Sequence, residues 1–126
     1  MRTMMLIAFA ATAASCSRPV MPEHSDLAQA IAGRVAGPPQ TCISTNAAEN
    51  LRVLDPQTIA YGSGQTVYVS RLAAACPALS QFNTIIVEGS TGGQYCQADR
   101  VRGLEPGTSI PGPSCNLGAW VPYRLP

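Results

Sequence analysis

The sequence predicts a small, mainly β domain linked by disulfides, either a compact antiparallel β-barrel or a two-layer sandwich. Three observations carry this prediction. Short runs of alternating or β-branched residues are separated by turn-forming residues, four cysteines are spread between positions 42 and 115, and the one helical pattern lies near the N-terminus. Short strands without strong internal helices are typical of barrels and sandwiches.

The clearest strand begins at Thr66. Along it Val67 and Val69 face one side, whereas Tyr68 and Ser70 face the other. Residues 62–65 are rich in glycine and predict a hairpin turn from a preceding strand over residues 58–61. Further strands are expected over residues 41–45, 51–54, 83–88, 94–97, 101–104 and 115–121, with those at 83–88 and 94–97 joined as a hairpin.

Residues 1–15 have the pattern of a signal peptide. Arg2 precedes an uncharged apolar stretch that is too short to cross a bilayer as a permanent helix. The tetrapeptide Ala13-Ala14-Ser15-Cys16 resembles a bacterial lipobox, in which the cysteine becomes the lipid-modified N-terminus, although Ala13 stands where that motif usually has Leu. The alternative is an ordinary cut after Ala13, which would leave a soluble periplasmic protein.

The parity of the cysteines favours lipidation of Cys16. Of the five cysteines, lipidation would leave an even set of four to form disulfides in an oxidising compartment, whereas a cut after Ala13 would leave one unpaired thiol. Ser17 stands where lipoproteins retained in the inner membrane often have Asp. By that resemblance we expect attachment to the periplasmic side of the outer membrane through a lipid on Cys16.

Residues 16–40 are predicted to form a lipid-anchored tether that contains a short helix over residues 26–36. Ser25 is a suitable N-cap, and Leu27, Ile31 and Val35 recur every four residues. A stripe of three aliphatic side chains predicts that the helix docks on the domain. The β domain itself is then expected over residues 41–126.

The charge of the exported chain indicates no nucleic-acid partner. All eight basic residues of the sequence are arginines, and removal of residues 1–15 leaves seven of them against seven acidic residues. A formally neutral chain has no electrostatic footprint for nucleic acid or for anionic lipid headgroups.

The residue types argue against an enzyme, a metal site and a cofactor. His24 is the single histidine and lies in the tether, so that a Ser-His-Asp triad or a Cys-His dyad would have no general base within the domain. The cysteines form neither two close pairs, as a four-thiolate zinc site requires, nor a Cys-x-x-Cys redox motif. We therefore expect no catalytic residue, no metal and no cofactor.

One charged cluster, Asp99 with Arg100 and Arg102, is the candidate ligand-binding group. As a functional group it would hold a carboxylate or a sugar. The alternative is structural: an aspartate in a turn and arginines that protect an exposed strand edge from pairing.

Four domain cysteines allow three disulfide pairings, and the sequence does not fix the choice. The expected hairpin near Gly92 brings Cys96 close to the connection that holds Cys76 and favours a Cys76–Cys96 bridge. Cys42 and Cys115 lie near the two ends of the domain, and end strands of a nearly closed sheet are often neighbours. The topology thus favours Cys42–Cys115 as the second bridge.

Six short segments stand in a characteristic order between residues 33 and 122. They are 33–37 before Cys42, 53–59, 67–72, the segment Cys76-Pro77-Ala78-Leu79, 96–99 and 114–120. In this combination they resemble a family of small proteobacterial envelope proteins known as a domain of unknown function. The resemblance implies an exported, often lipidated four-cysteine domain and assigns no activity.

Two functions follow as expectations. The first is a non-enzymatic envelope lipoprotein, a binding or structural module that contacts another envelope component. The second is a soluble periplasmic inhibitor or ligand-binding module that acts on a cell-wall component or on a cell-wall hydrolase.

Overall fold

The structure, a computed structural model, describes residues 26–89 and 92–126. The predicted signal peptide, the lipidation site Cys16, the cap Ser25 and His24 lie outside these residues. Within them the chain forms one helix and ten strands. These are α1 Asp26–Ile31, β1 Val35–Ala36, β2 Cys42–Ser44, β3 Leu51–Asp55, β4 Thr58–Tyr61, β5 Thr66–Arg71, β6 Thr84–Glu88, β7 Gln94–Cys96, β8 Arg100–Leu104, β9 Cys115–Asn116 and β10 Trp120–Arg124.

The largest sheet has five antiparallel strands in the order β1-β10-β5-β4-β3. The predicted hairpin between β4 and β5 is confirmed, with Tyr61 opposite Tyr68. Its turn requires glycine, because Gly62 and Gly64 have φ values of 89° and 69°.

Two smaller sheets, β2-β7 and β6-β8-β9, complete the fold. The main core lies against the inner face of the large sheet and includes Trp120 and Ile59 together with Val101 of β8 and Ile43 of β2. In the described part of the chain the sheets do not close into a barrel, so that the packing is that of a sandwich. The predicted mainly β, disulfide-linked fold is confirmed in its sandwich form.

The outer face of the large sheet is covered by α1. Val67 and Val69 of β5 are buried there, and Leu27 and Ile31 of the helix pack against them. The alternation predicted for β5 and the docking of the helix are therefore both confirmed. Val35, the third residue of the predicted stripe, is instead 64% exposed.

The predicted helix over residues 26–36 is wrong in its C-terminal half. The helix ends at Ile31 because Gly33, with φ of 69°, reverses the chain. Val35 and Ala36 then pair with β10, and Gln40 exchanges backbone hydrogen bonds with Trp120. Val35 and Ala36 are thus a strand of the large sheet and Gln40 bridges to it, whereas the sequence assigned them to the tether.

The expected hairpin between residues 83–88 and 94–97 does not form. β6 pairs with β8 over all five of its residues, and β7 pairs with β2. The cause is a tight turn after Cys96, in which Ala98 has φ of 73° and Asp99 holds the Cys96 amide. This turn redirects the chain, so that β7 and β8 lie in different sheets.

The disulfide pairing expected from that hairpin is also wrong. The bonds are Cys42–Cys96 and Cys76–Cys115. Cys42 lies directly opposite Cys96 in the β2-β7 pair, with their Cα atoms 4.0 Å apart. Cys115 lies in β9 beside Val101 of β8, where the connection that contains Cys76 packs. The two disulfides overlap along the sequence, since Cys76 lies between Cys42 and Cys96 whereas its partner Cys115 lies beyond them.

The expected closing strand over residues 115–121 is broken into β9 and β10. Gly118 lies between them, and a Cβ atom at this position would lie 2.0 Å from the Arg71 carbonyl oxygen. The close approach of the two backbones excludes a larger residue there. The chain can therefore leave the small β6-β8-β9 sheet and enter the large one within a few residues.

Candidate functional site

The predicted ligand cluster is engaged within the protein. The Asp99 carboxylate accepts a hydrogen bond from the Cys96 amide at 2.8 Å, and the Asp99 amide donates to the Cys96 carbonyl across the same turn. Arg102 and Arg100 both approach Glu88, with N···O distances of 3.3 Å and 3.5 Å. Of the three candidate side chains, Arg100 alone is mostly exposed. The geometry favours the structural alternative for Asp99 and Arg102.

The side chain of Arg102 holds an exposed loop, residues 105–113, by hydrogen bonds to backbone carbonyls of the loop. Its Nε atom donates to the Gly112 carbonyl at 2.8 Å, and Nη2 donates to the Pro111 carbonyl at 3.3 Å. The Gly112 amide donates in turn to the Gly103 carbonyl at 2.8 Å. Charge-assisted hydrogen bonds to two successive carbonyls fix the C-terminal half of this loop against β8.

The tip of the 105–113 loop carries a large apolar side chain. Ile110 is 81% exposed, although the bonds on its C-terminal side tie the backbone down. At the other end of the loop the Thr108 hydroxyl donates to the Glu105 carbonyl at 2.9 Å. The loop therefore presents an isoleucine to solvent from a restrained backbone, the arrangement by which rigid scaffolds support binding loops.

A groove of about 660 Å³ lies beneath this loop. Its walls are the 105–113 loop, Gly103 of β8 and the connection between β5 and β6. Asn83, Glu105, Thr108 and Ser109 supply polar side chains to it. A groove with several polar groups and restrained walls has the features of a site for a small polar ligand.

The second wall of the groove, residues 77–83, is clamped at several points. The disulfide from Cys76 fixes one end, and the Cys76 amide donates to the Pro56 carbonyl at 2.8 Å. The Ala78 carbonyl accepts a hydrogen bond from Asn83 Nδ2 at 2.9 Å. Gly103 allows this close approach, because a Cβ atom there would lie 1.8 Å from the Ala78 oxygen.

The same 77–83 segment carries Phe82, a large apolar side chain that is 82% exposed. Beside Phe82 lies a second groove of about 430 Å³, lined mainly by apolar groups of β3 and of this segment, among them Val53, Leu54 and Leu79. The 77–83 segment thus separates a polar groove from an apolar one.

A tyrosine pair lies near the β2-β7 sheet. The rings of Tyr61 and Tyr95 meet edge to face, with centroids 5.7 Å apart. Desolvation by burial raises the pKa of Tyr95 above its ordinary value, and the neighbouring Tyr61 adds to the shift. Tyr61 donates its hydroxyl proton to the Asn46 carbonyl, which fixes the ring. The pair packs against the core.

Sequence reasoning missed Phe82 and Ile110. Each is a single apolar residue among turn-forming neighbours, Ser80-Gln81 before Phe82 and Thr108-Ser109 before Ile110. An apolar residue inside such a turn is the signal that a loop presents it to solvent. The periodic patterns that reveal strands do not detect it.

Within the described residues, no group of three or more His, Cys, Asp or Glu side chains is placed to hold a metal ion. No helix in that part of the chain has the length and apolar character needed to cross a membrane. In comparisons with known proteins, no family model, curated protein or solved structure matches the chain.

Proposed function

We propose that the chain is an exported envelope lipoprotein that acts as a non-enzymatic binding or structural module. Its two disulfides indicate an oxidising compartment outside the cytoplasm. The lipobox-like segment that ends at Cys16 supports a lipid anchor and, with Ser17, the outer membrane. The sequence resemblance to small proteobacterial envelope proteins supports the same compartment.

The observation that carries the proposal is the exposed apolar side chain of Ile110 on a restrained loop. Arg102 and the disulfide at Cys115 hold the loop before any partner arrives. Little conformational entropy is then lost on binding, which is how a pre-organised loop gains affinity. The loop carries one charged side chain, Glu105, and the exposed Ile110 calls for an apolar contact on another envelope protein.

Photo-crosslinking in cells tests this proposal. In one variant of the full chain a photoreactive amino acid replaces Ile110. In a second variant, the matched control, it replaces Val35, which is also exposed and apolar. We expect a discrete crosslinked envelope protein from position 110 and none from position 35. Arg102→Ala should weaken the crosslink by loosening the loop. No crosslink from position 110, or the same product from both positions, would contradict the proposal.

The polar groove supports the second candidate function, a soluble periplasmic ligand-binding module or inhibitor. Asn83, Glu105 and Thr108 line it with groups that suit sugar hydroxyls or peptide amides of the cell wall. Soluble peptidoglycan fragments should then raise the melting temperature of the protein, because a ligand that binds only the folded state stabilises it. An unchanged melting temperature at millimolar fragment would contradict this alternative.

A further inference from the structure

The start of the described chain lies beside Phe82. Gln81, the neighbour of Phe82, donates a side-chain hydrogen bond to the Asp26 carboxylate. From Asp26 the helix α1 runs over the outer face of the large sheet, with Leu27 and Ile31 against it and β3 close by. The chain towards Cys16 therefore leaves the domain at the β3 edge, next to the apolar groove.

The tether limits how far the domain can lie from the membrane. Nine residues, 17–25, separate Cys16 from Asp26, and the ten Cα–Cα steps between them span at most about 33–36 Å when fully extended. A lipid on Cys16 would hold this edge of the domain close to the membrane. At such a distance even a weak contact is favoured, because tethering makes it intramolecular with a high effective concentration.

We propose that Phe82 and the apolar groove beside it form a membrane-contacting surface that orients the domain on a phospholipid bilayer. This inference rests on the lipid anchor of the proposed function. The 77–83 segment carries no charge, so that it enters the headgroup region without burying an ion. An exposed phenyl ring can bury its apolar surface at the boundary between headgroups and acyl chains.

The charges near the surface indicate the type of lipid contact. Two acidic groups lie near the surface: Asp55, which lines the groove, and Asp26, which accepts a hydrogen bond from Gln81. The guanidinium of Arg52, also in β3, donates to the Gly62 carbonyl at 3.0 Å. Because Asp55 and Asp26 are both acidic, anionic headgroups would repel them rather than attract the domain. The contact is therefore apolar, and it should depend little on salt or on the content of anionic lipid.

Tryptophan quenching by lipids tests the inference on the full, lipid-anchored chain. Phe82→Trp places a reporter at the proposed contact, and the single native tryptophan, Trp120, is fully buried and gives a constant background. Val35→Trp is the matched control: β1 and β3 are opposite edges of the sheet, about 19 Å apart at four strand spacings.

The vesicles are phosphatidylcholine with brominated acyl chains. In the Phe82→Trp protein we expect the emission contributed by the new tryptophan to fall at least twofold. In the Val35→Trp protein the emission should fall no more than it does in the unsubstituted protein. Equal quenching of both reporters, or none at position 82, would overturn the inference. Unquenched, already blue-shifted emission at position 82 would also overturn it, because the tether or a protein surface would then cover the site.

The anchor and the surface can be tested separately. If mass spectrometry finds Cys16 unmodified by lipid, the lipoprotein proposal fails. Its thiol is then coupled to a maleimide phospholipid, which is selective because the other four cysteines are in disulfides. Quenching at position 82 in that conjugate would support the membrane-contacting surface by itself, and its absence would refute it.

Discussion

Replacing Gly103 with alanine is expected to unfold or severely destabilise the domain. The new Cβ atom would lie 1.8 Å from the Ala78 carbonyl oxygen and 2.8 Å from its carbonyl carbon. An ordinary van der Waals contact is at least 3.4 Å, so that the 77–83 segment would have to retreat by roughly 1.6 Å or more.

The segment has little freedom to retreat. The disulfide from Cys76 holds its N-terminal end, and β6, which begins at Thr84 and pairs with β8, holds its C-terminal end. The hydrogen bond from Asn83 to the Ala78 carbonyl stiffens the segment between them. Overpacking of a core costs about 1–3 kcal/mol when side chains can adjust, and here the opposing atoms are backbone. We therefore expect Gly103→Ala to lower the free energy of unfolding by at least about 3 kcal/mol, a large part of the roughly 5–15 kcal/mol of a typical domain.

The assay is guanidinium unfolding of the oxidised protein, followed by the emission of Trp120. The matched control is Gly107→Ala, where φ is 81° and the space around the Cβ position is open. That substitution should cost only the strain of a left-handed alanine, about 1–2 kcal/mol. A loss below about 1 kcal/mol for Gly103→Ala, or a larger loss for Gly107→Ala, would refute the close packing of the 77–83 segment on β8.

Three further predictions concern the disulfides, the tyrosine pair and the loop. Replacing both cysteines of either disulfide with alanine should lower the free energy of unfolding by about 4 kcal/mol, since Cys42–Cys96 spans 54 positions of the sequence and Cys76–Cys115 spans 39. A loss under about 1 kcal/mol in chemical denaturation would contradict this. The folded protein keeps Tyr95 neutral more strongly than the unfolded chain does, so its contribution to stability is complete below pH about 10 and is lost as the pH rises through its raised pKa. Tyr95→Phe should therefore show a smaller alkaline loss of stability, and an unchanged pH profile would refute it. Arg102→Ala should speed amide exchange in the 105–113 loop and lower stability by about 1–3 kcal/mol; unchanged exchange would show that the loop is held otherwise.

The β4–β5 hairpin could be predicted because its signals lie within one short stretch of sequence. The alternation of Val67 and Val69 with Tyr68 correctly assigns these residues to opposite faces of β5, because side chains alternate across a strand. The turn at Gly62 and Gly64 is readable for a similar reason, since a short glycine-rich connection between two strands specifies a hairpin.

The pairing of distant strands could not be predicted in this way. Nothing in the sequence of β7 states that its partner is β2, because both are three-residue strands with few side chains to define a register. Ala98 adopts a left-handed conformation that favours glycine and asparagine, so that the turn after Cys96 was not visible. The disulfide error followed from this one missed turn.

The candidate site was missed for a related physical reason. Asp99 and Arg102 attract notice in a sequence because they are charged, yet their charges are used to hold backbone groups in place. Phe82 and Ile110 are single apolar residues among turn-forming neighbours, a signal that strand and helix periodicity does not detect, and in the structure their side chains lie in solvent. Exposure of this kind depends on tertiary packing, which hydrophobic pattern alone does not describe.

The most direct test of the account is non-reducing peptide mapping by mass spectrometry of the mature protein, isolated from both the membrane and the soluble fractions of the cells that produce it. We expect an N-terminal peptide that begins at a lipid-modified Cys16, together with the linked peptides Cys42–Cys96 and Cys76–Cys115. An N-terminus at unmodified Ala14 in the soluble fraction, or free thiols at the four domain cysteines, would contradict the proposal of an exported, lipid-anchored module.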